Sequence, residues 1–116
     1  MDYEFSYNED FLIIKLSGTA GVNERLSLKE YLAPYLRCRK VIVDLGGLND
    51  VGEIYIVGTL NTIQKEFQLL GGEVKFCAPS PKLHRYFQEN RLDTIFDLGW
   101  SIDQIERRFK EKNNEA

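Results

Sequence analysis

Residues 40–79 constrain the fold more than any other stretch of the chain. Val41, Ile42 and Val43, followed by Asp44 and Leu45, form a β-branched run that reads as a strand. Residues 46–52 are rich in glycine and read as a loop. A helical pattern then covers about 53–70, Gly71-Gly72 stops it, and Val74, Lys75, Phe76 and Cys77 make a second strand-like run. Two strands flanking one long helix require a crossover, so the strands are parallel and the unit is βαβ.

The helix itself carries two messages. Ile56, Leu60, Ile63, Phe67 and Leu70 share one side at the spacing of a face laid on a sheet. Asn61, Lys65 and Gln68 make the later turns of the opposite side polar. The first turns of that side are different: Ile54, Tyr55, Gly58 and Thr62 fall together, away from the expected core. An apolar-aromatic patch around a glycine is either a surface met by another protein, or apolar surface covered by a loop or tail.

The rest of the chain fits around this unit. Tyr3, Phe5 and Tyr7 alternate with polar residues as in an edge strand, Asn8-Glu9-Asp10 turns, and residues 11–16 make the partner strand. A three-residue connection makes this an antiparallel hairpin. Asn23 is the expected N-cap of an amphipathic helix built on Leu26, Leu28, Tyr31, Leu32, Tyr35 and Leu36. Pro34 should end or kink that helix near Leu32. Ser80 followed by Pro81 starts a third helix with Leu83, Tyr86 and Phe87 inward. Thr94, Ile95 and Phe96 are the candidate last strand. Ser101 and Gln104 have the spacing of a capping box, with Trp100 and Ile105 at the staple positions. Ile102, Ile105 and Phe109 stripe the last helix, and residues 110–116 are expected to fray.

Size fits one domain over residues 1–116, with 43% apolar and 28% charged residues in 116. The net charge of −3, with Lys and Arg spread evenly, argues against nucleic acid as a partner. No apolar run nears the roughly 20 residues of a membrane helix. The acidic start Met1-Asp2-Tyr3-Glu4 does not have a signal-peptide pattern, so the cytoplasm is the expected location. Cys38 and Cys77 are expected as free thiols, since their spacing matches neither a metal nor a redox motif.

Catalytic chemistry finds no foothold. His84 stands alone among Lys82 and Arg85, which is the pattern of a surface residue. Gly46-Gly47 follows a strand without the later glycine and Lys-Ser/Thr pair of a phosphate loop. Asp44, Asp50 and Glu53 are close enough in sequence to hold a divalent cation. A helix cap, with Asp50 as N-cap and Glu53 at N3, uses two of the same residues and requires no missing ion, so it is preferred. No catalytic residue, metal site or cofactor is expected.

The order hairpin, helix, strand, helix, strand, helix, strand, helix resembles the STAS domain, the fold of bacterial anti-sigma-factor antagonists. Val41-Ile42-Val43-Asp44-Leu45-Gly46-Gly47-Leu48 is similar to that family's central strand and following loop. Leu70-Gly71-Gly72-Glu73-Val74 is similar to its helix-to-strand turn. Residues 77–87, with Pro79, Ser80, Pro81, His84, Tyr86 and Phe87, are similar to the segment where a turn opens an aromatic-ended helix. The likeness spans roughly residues 11–109. It implies an α/β fold: a single layer of mixed, mostly parallel sheet of about four to five strands, covered by helices.

The resemblance also implies a function and a departure from it. Antagonists of this type carry Asp-Ser-Ser-Gly at the start of the long helix, and a kinase phosphorylates one serine, driving the partners apart by added charge. Counting forward from Asp44 places Gly52 at the aspartate, with Glu53 and Ile54 at the serines. Counting back from Gly71 places Glu53 at the aspartate, with Ile54 and Tyr55 at the serines. Neither count finds a serine or threonine. The expectation is a non-enzymatic regulatory module without the phosphoswitch. It would bind a protein partner, such as an anti-sigma kinase, through Asp50, Glu53, Ile54, Tyr55, Gly58 and Thr62. A homodimer is left open. The alternatives are an accessory subunit of a phospholipid or anion transporter and, last, a small-ligand or nucleotide-binding STAS domain.

Overall fold

The computed structural model describes residues 2–19, 24–50 and 54–114, with side chains described except at 19, 24–27, 49, 50, 54, 55 and 112–114. Five strands form one sheet in the order β1-β2-β3-β4-β5: Asp2–Asn8, Phe11–Thr19, Lys40–Asp50, Glu73–Cys77 and Leu98–Gly99. Four helices follow the strands from β2 onward: α1 (Glu24–Leu32), α2 (Ile54–Gln68), α3 (Pro81–Glu89) and α4 (Ile102–Asn114). β1 is antiparallel to β2, and the pairs β2/β3, β3/β4 and β4/β5 are parallel. The βαβ unit, the hairpin and the mixed, mostly parallel sheet are as the sequence predicts.

Alternation along the strands divides the core in two. On one face Leu12, Ile14, Val41, Val43, Val74 and Phe76 pack with the buried sides of α1, α2 and α3. On the other, Phe11, Ile42 and Cys77 meet Ile105 and Phe109 of α4. Ile56, Leu60, Ile63 and Phe67 are buried as the wheel requires. Leu70 is not: it is 57% exposed, because α2 stops at Gln68. There the Gly71 amide donates to the Gln68 carbonyl and the Gly72 amide to that of Phe67, with Gly71 at φ +84°. This is a Schellman ending, and it takes Leu70 off the wheel.

Several boundaries differ from the sequence reading for identifiable reasons. β3 runs through the glycines expected to form a loop and continues to Asp50. Gly47 pairs with Ser17, and a Cβ there would sit 2.8 Å from the Leu16 carbonyl oxygen. Gly47 permits close strand approach rather than a turn. Asn8 pairs with Phe11, so the hairpin turn is two residues, with Glu9 at φ +56°. Thr94, Ile95 and Phe96 are not a strand: a 3-10 turn over Leu92–Thr94 drops Phe96 edge-on against Phe76 (5.1 Å, 77°), and β5 follows at Leu98–Gly99. α4 extends to Asn114 instead of fraying from Lys110, which pairs with Glu9 at 3.3 Å. Pro34 ends α1 at Leu32, as expected, and opens a 3-10 turn over Ala33–Tyr35. The Asn23 cap lies outside the described residues.

Candidate functional site

The parallel strands end together at one edge of the sheet, where α2, α3 and α4 begin. Edges of this kind carry the sites of α/β folds because the helix starts leave unpaired backbone amides there. Asp50 is the last residue of β3, opposite Thr19 of β2, and its side chain lies outside the described residues. Glu53 also lies outside them, so the Asp50/Glu53 cap does too. Ile54 and Tyr55 open α2, again without described side chains.

Gly58 and Thr62, one turn apart, are both half-buried on the same side of α2. The structure ties them together: the Thr62 hydroxyl donates to the Gly58 carbonyl at 2.9 Å. Thr59 is on the core side with no exposure, and its hydroxyl has no hydrogen-bond partner among the described residues. Gly58 and Thr62 are thus partly covered, while Thr59 is closed off from solvent.

Beside the start of α2, β3 touches the turn before α3. The Asp44 carboxylate accepts from the Gly46 amide at 2.9 Å, and a Cβ on Gly46 would lie 3.1 Å from Pro79 Cγ. Ser80 caps α3 by accepting from the Lys82 amide at 3.2 Å, as its sequence predicts. Two residues read as ordinary in the sequence come together here. His84 Nε2 lies 2.7 Å from the Ala78 carbonyl oxygen, and its ring stacks on Trp100 at 3.6 Å and 10°. His84 is thus half-buried and fixed rather than a bare surface residue, and the Trp100 ring, 48% exposed, lies on it. The separation of the two along the chain left no local signal for this contact.

The last helix is capped at the same edge. The Ser101 hydroxyl accepts from the Gln104 amide at 3.1 Å, while Gln104 Oε1 accepts from the Trp100 amide at 2.7 Å. The box is therefore shifted back by one residue. Cys77 lies under this edge, buried and free, as Cys38 is also free. Burial, together with the charge of Asp44, pushes the Cys77 thiol up to about 11, which makes it a poor nucleophile.

Metal and ligand chemistry are not concentrated here. Among the described residues no three of His, Cys, Asp and Glu gather to hold a metal ion. An open groove of about 530 Å³ lies at the far end of α2, lined by Gln64, Gln68, Gly72, Val74, Lys75 and Asp97. Three of its polar side chains are engaged: Gln64 donates to the Ile95 carbonyl at 3.1 Å, and Lys75 pairs with Asp97. The groove lies beside the C-terminal end of α2.

Comparison with known proteins agrees with this architecture. A sequence model of the STAS domain matches residues 3–110. The structure is similar to that of an anti-sigma factor antagonist from Thermotoga maritima, with TM-score 0.76, 18% identity, and 91% of this chain and 92% of that one covered. It is also similar to an anti-sigma factor antagonist from Mycobacterium paratuberculosis (TM-score 0.68, 14% identity, 92% of each chain). A third likeness is to the Bacillus cell fate determinant SpoIIAA in its phosphorylated form (TM-score 0.63, 15% identity, 91% of this chain and 98% of that one). At these identities the likeness establishes the fold. No curated protein matches the sequence.

Proposed function

The chain belongs to the STAS domain family, and from that premise we propose that it is a non-enzymatic, cytoplasmic regulatory module that binds a protein partner through the start of α2 and does so without a phosphoserine switch. The docking surface is Ile54, Tyr55, Gly58 and Thr62, flanked by Asp50 and Glu53. Glu53 and Ile54 stand where a phosphorylatable serine would be expected. One observation carries this reading. Of the threonines that follow, Thr59 is fully buried, and the Thr62 hydroxyl donates back to its own helix. No serine occurs between Asp44 and Thr62. The partner's affinity is then set by amounts of protein, because phosphate charge is not available to drive the two apart.

Among the described residues no helix is long and apolar enough to cross a membrane, and the contact proposed here is with another protein at the start of α2. Interfaces of this kind draw most of their energy from a few buried aromatic and apolar anchors, here Tyr55 and Ile54. Two experiments test the proposal. Incubated with anti-sigma-factor kinases and ATP, the protein should keep its unmodified mass; stoichiometric phosphate within residues 49–62 refutes it. Tyr55→Asp should lower recovery of proteins captured from the host by tenfold or more, while the melting temperature stays close to that of the wild type. A large fall in melting temperature would place Tyr55 in the core and remove the docking surface.

A further inference from the structure

β5 is shorter than the strand it joins. It consists of Leu98 and Gly99 and pairs only with Phe76 and Cys77. The first half of β4, residues 73–75, therefore has no strand on that side among the described residues. Alternation along the strand decides which groups this leaves over. The Glu73 amide donates to the Arg39 carbonyl, on the β3 side, at 2.7 Å. The Phe76 amide donates to the Asp97 carbonyl, on the β5 side, at 2.8 Å. Val74 lies two residues before Phe76, so its amide and carbonyl also face the β5 side, where nothing among the described residues pairs with them. Val74 is only 4% exposed, and buried backbone groups are nearly always hydrogen-bonded. The segment before β5 is tied elsewhere: Gln64 donates to the Ile95 carbonyl, and the buried Phe96 ring rests on Phe76.

The groove of about 530 Å³ lies along this gap, with Val74 in its lining. We propose that it takes a short extended peptide segment of another protein, which lies beside Val74 in place of the missing length of β5 and exchanges backbone hydrogen bonds with it. A peptide backbone carries a donor and an acceptor at the spacing of a strand, so it satisfies both groups of Val74 at once. The charged residues here neither guard the edge nor call for an ion. Lys75 is 7% exposed, paired with Asp97, and its ammonium lies over the Phe109 ring. Glu73 and Asp97 set two carboxylates in the lining against that one ammonium, which disfavours an acidic segment. Ile95, 54% exposed, gives the segment an apolar wall. The occupant is thus uncharged, apolar on one side, and matched in length to residues 73–75. The groove is about 15–20 Å along α2 from the helix start, so this contact is separate from the docking surface proposed there.

The probe is a capped, uncharged pentapeptide of alternating threonine and valine. Titrated into the isotope-labelled full chain, it should move the Val74 amide resonance and slow its hydrogen exchange, while Gly58 and Thr62 stay unmoved. In the free protein the Val74 amide should exchange faster than that of Phe76, whose donor is paired. The same peptide N-methylated at every residue keeps its side chains and loses its backbone donors, and should bind roughly tenfold more weakly or worse. Replacing its valines by aspartate should weaken it as well. Ile95→Asp, at an exposed position, should raise the peptide Kd about fivefold with little change in melting temperature. A Val74 amide that does not move at about 10 mM peptide, or an N-methylated peptide that binds as well as its parent, overturns the proposal.

Discussion

The two faces of the sheet are built by different means. Three helices cover the first, and its core is aliphatic and aromatic, with Leu60, Ile63, Phe67 and Phe76 fully buried. One helix covers the second, where the apolar contact is five residues wide and polar groups complete it. Lys75 is 7% exposed on that face, with its ammonium 5.0 Å from the centre of the Phe109 ring. Asp97 accepts from Lys75 and from Arg108, the latter at 2.6 Å, and Arg108 also donates to the Leu98 carbonyl at 3.0 Å. A wide apolar face tolerates variation in direction because burial is non-directional. A narrow one held by a charge cluster depends on each partner, since an unpaired buried charge is costly.

That contrast can be broken most sharply on the first face. Phe67→Ala removes a fully buried ring and should cost about 3–5 kcal/mol in denaturant unfolding. A loss under about 1 kcal/mol would mean that the three-helix face is not the main source of stability.

The second face should respond to charge. Asp97→Asn keeps the shape but leaves Lys75 without its counter-charge. The expected loss is about 1–2 kcal/mol, less than for a fully buried pair, because the Asp97 side chain is 38% exposed and water screens it. Burial acts to raise the Asp97 carboxyl, but the hydrogen bonds and charges of Lys75 and Arg108 outweigh it, so its pKa falls below the ordinary 3.8. A lowered folded value means that the contribution of Asp97 is whole above the ordinary carboxylate range. It is lost as pH falls through that value and on through the folded one. Unfolding followed against pH should therefore show a flatter acid limb in Asp97→Asn than in the wild type. Equal slopes would show that the cluster contributes packing and not charge.

The smallest effect is at the start of α4. Ser101→Ala removes the hydroxyl that accepts from the Gln104 amide and should cost about 1 kcal/mol in thermal unfolding. Because α4 covers its face alone, that loss should also appear as faster hydrogen exchange in α4 than in α2.

The elements legible from sequence are those specified locally. The Ser80-Pro81 start, the Gly71-Gly72 stop, the break before Pro34 and the stripe from Ile56 to Phe67 depend on side chains within a turn or two of one another. Residues that depend on distant partners were not legible. Gly47 looks like a turn residue until β2 is placed against it, and Gly46 until Pro79 is. Leu70 continues the wheel on paper, but the helix has already ended. His84 and Trp100 become a pair only when β4 and β5 lie side by side, bringing their following turns together. Of the candidate docking residues, the structure describes Gly58 and Thr62, half-buried and joined by a hydrogen bond, and the side chains before Ile56 are known from sequence alone.

The sequence by itself determined the βαβ unit, the family and the absence of any serine between Asp44 and Thr62, because periodicity, caps and motif residues are properties of neighbours along the chain. Only the tertiary structure decided that α4 lies across the sheet from the other helices, that Thr59 is sealed from solvent, and that β1 is the outer strand of the sheet. Those facts depend on which strands sit side by side and which helix covers which face, and contacts between distant segments leave no periodic trace in either one.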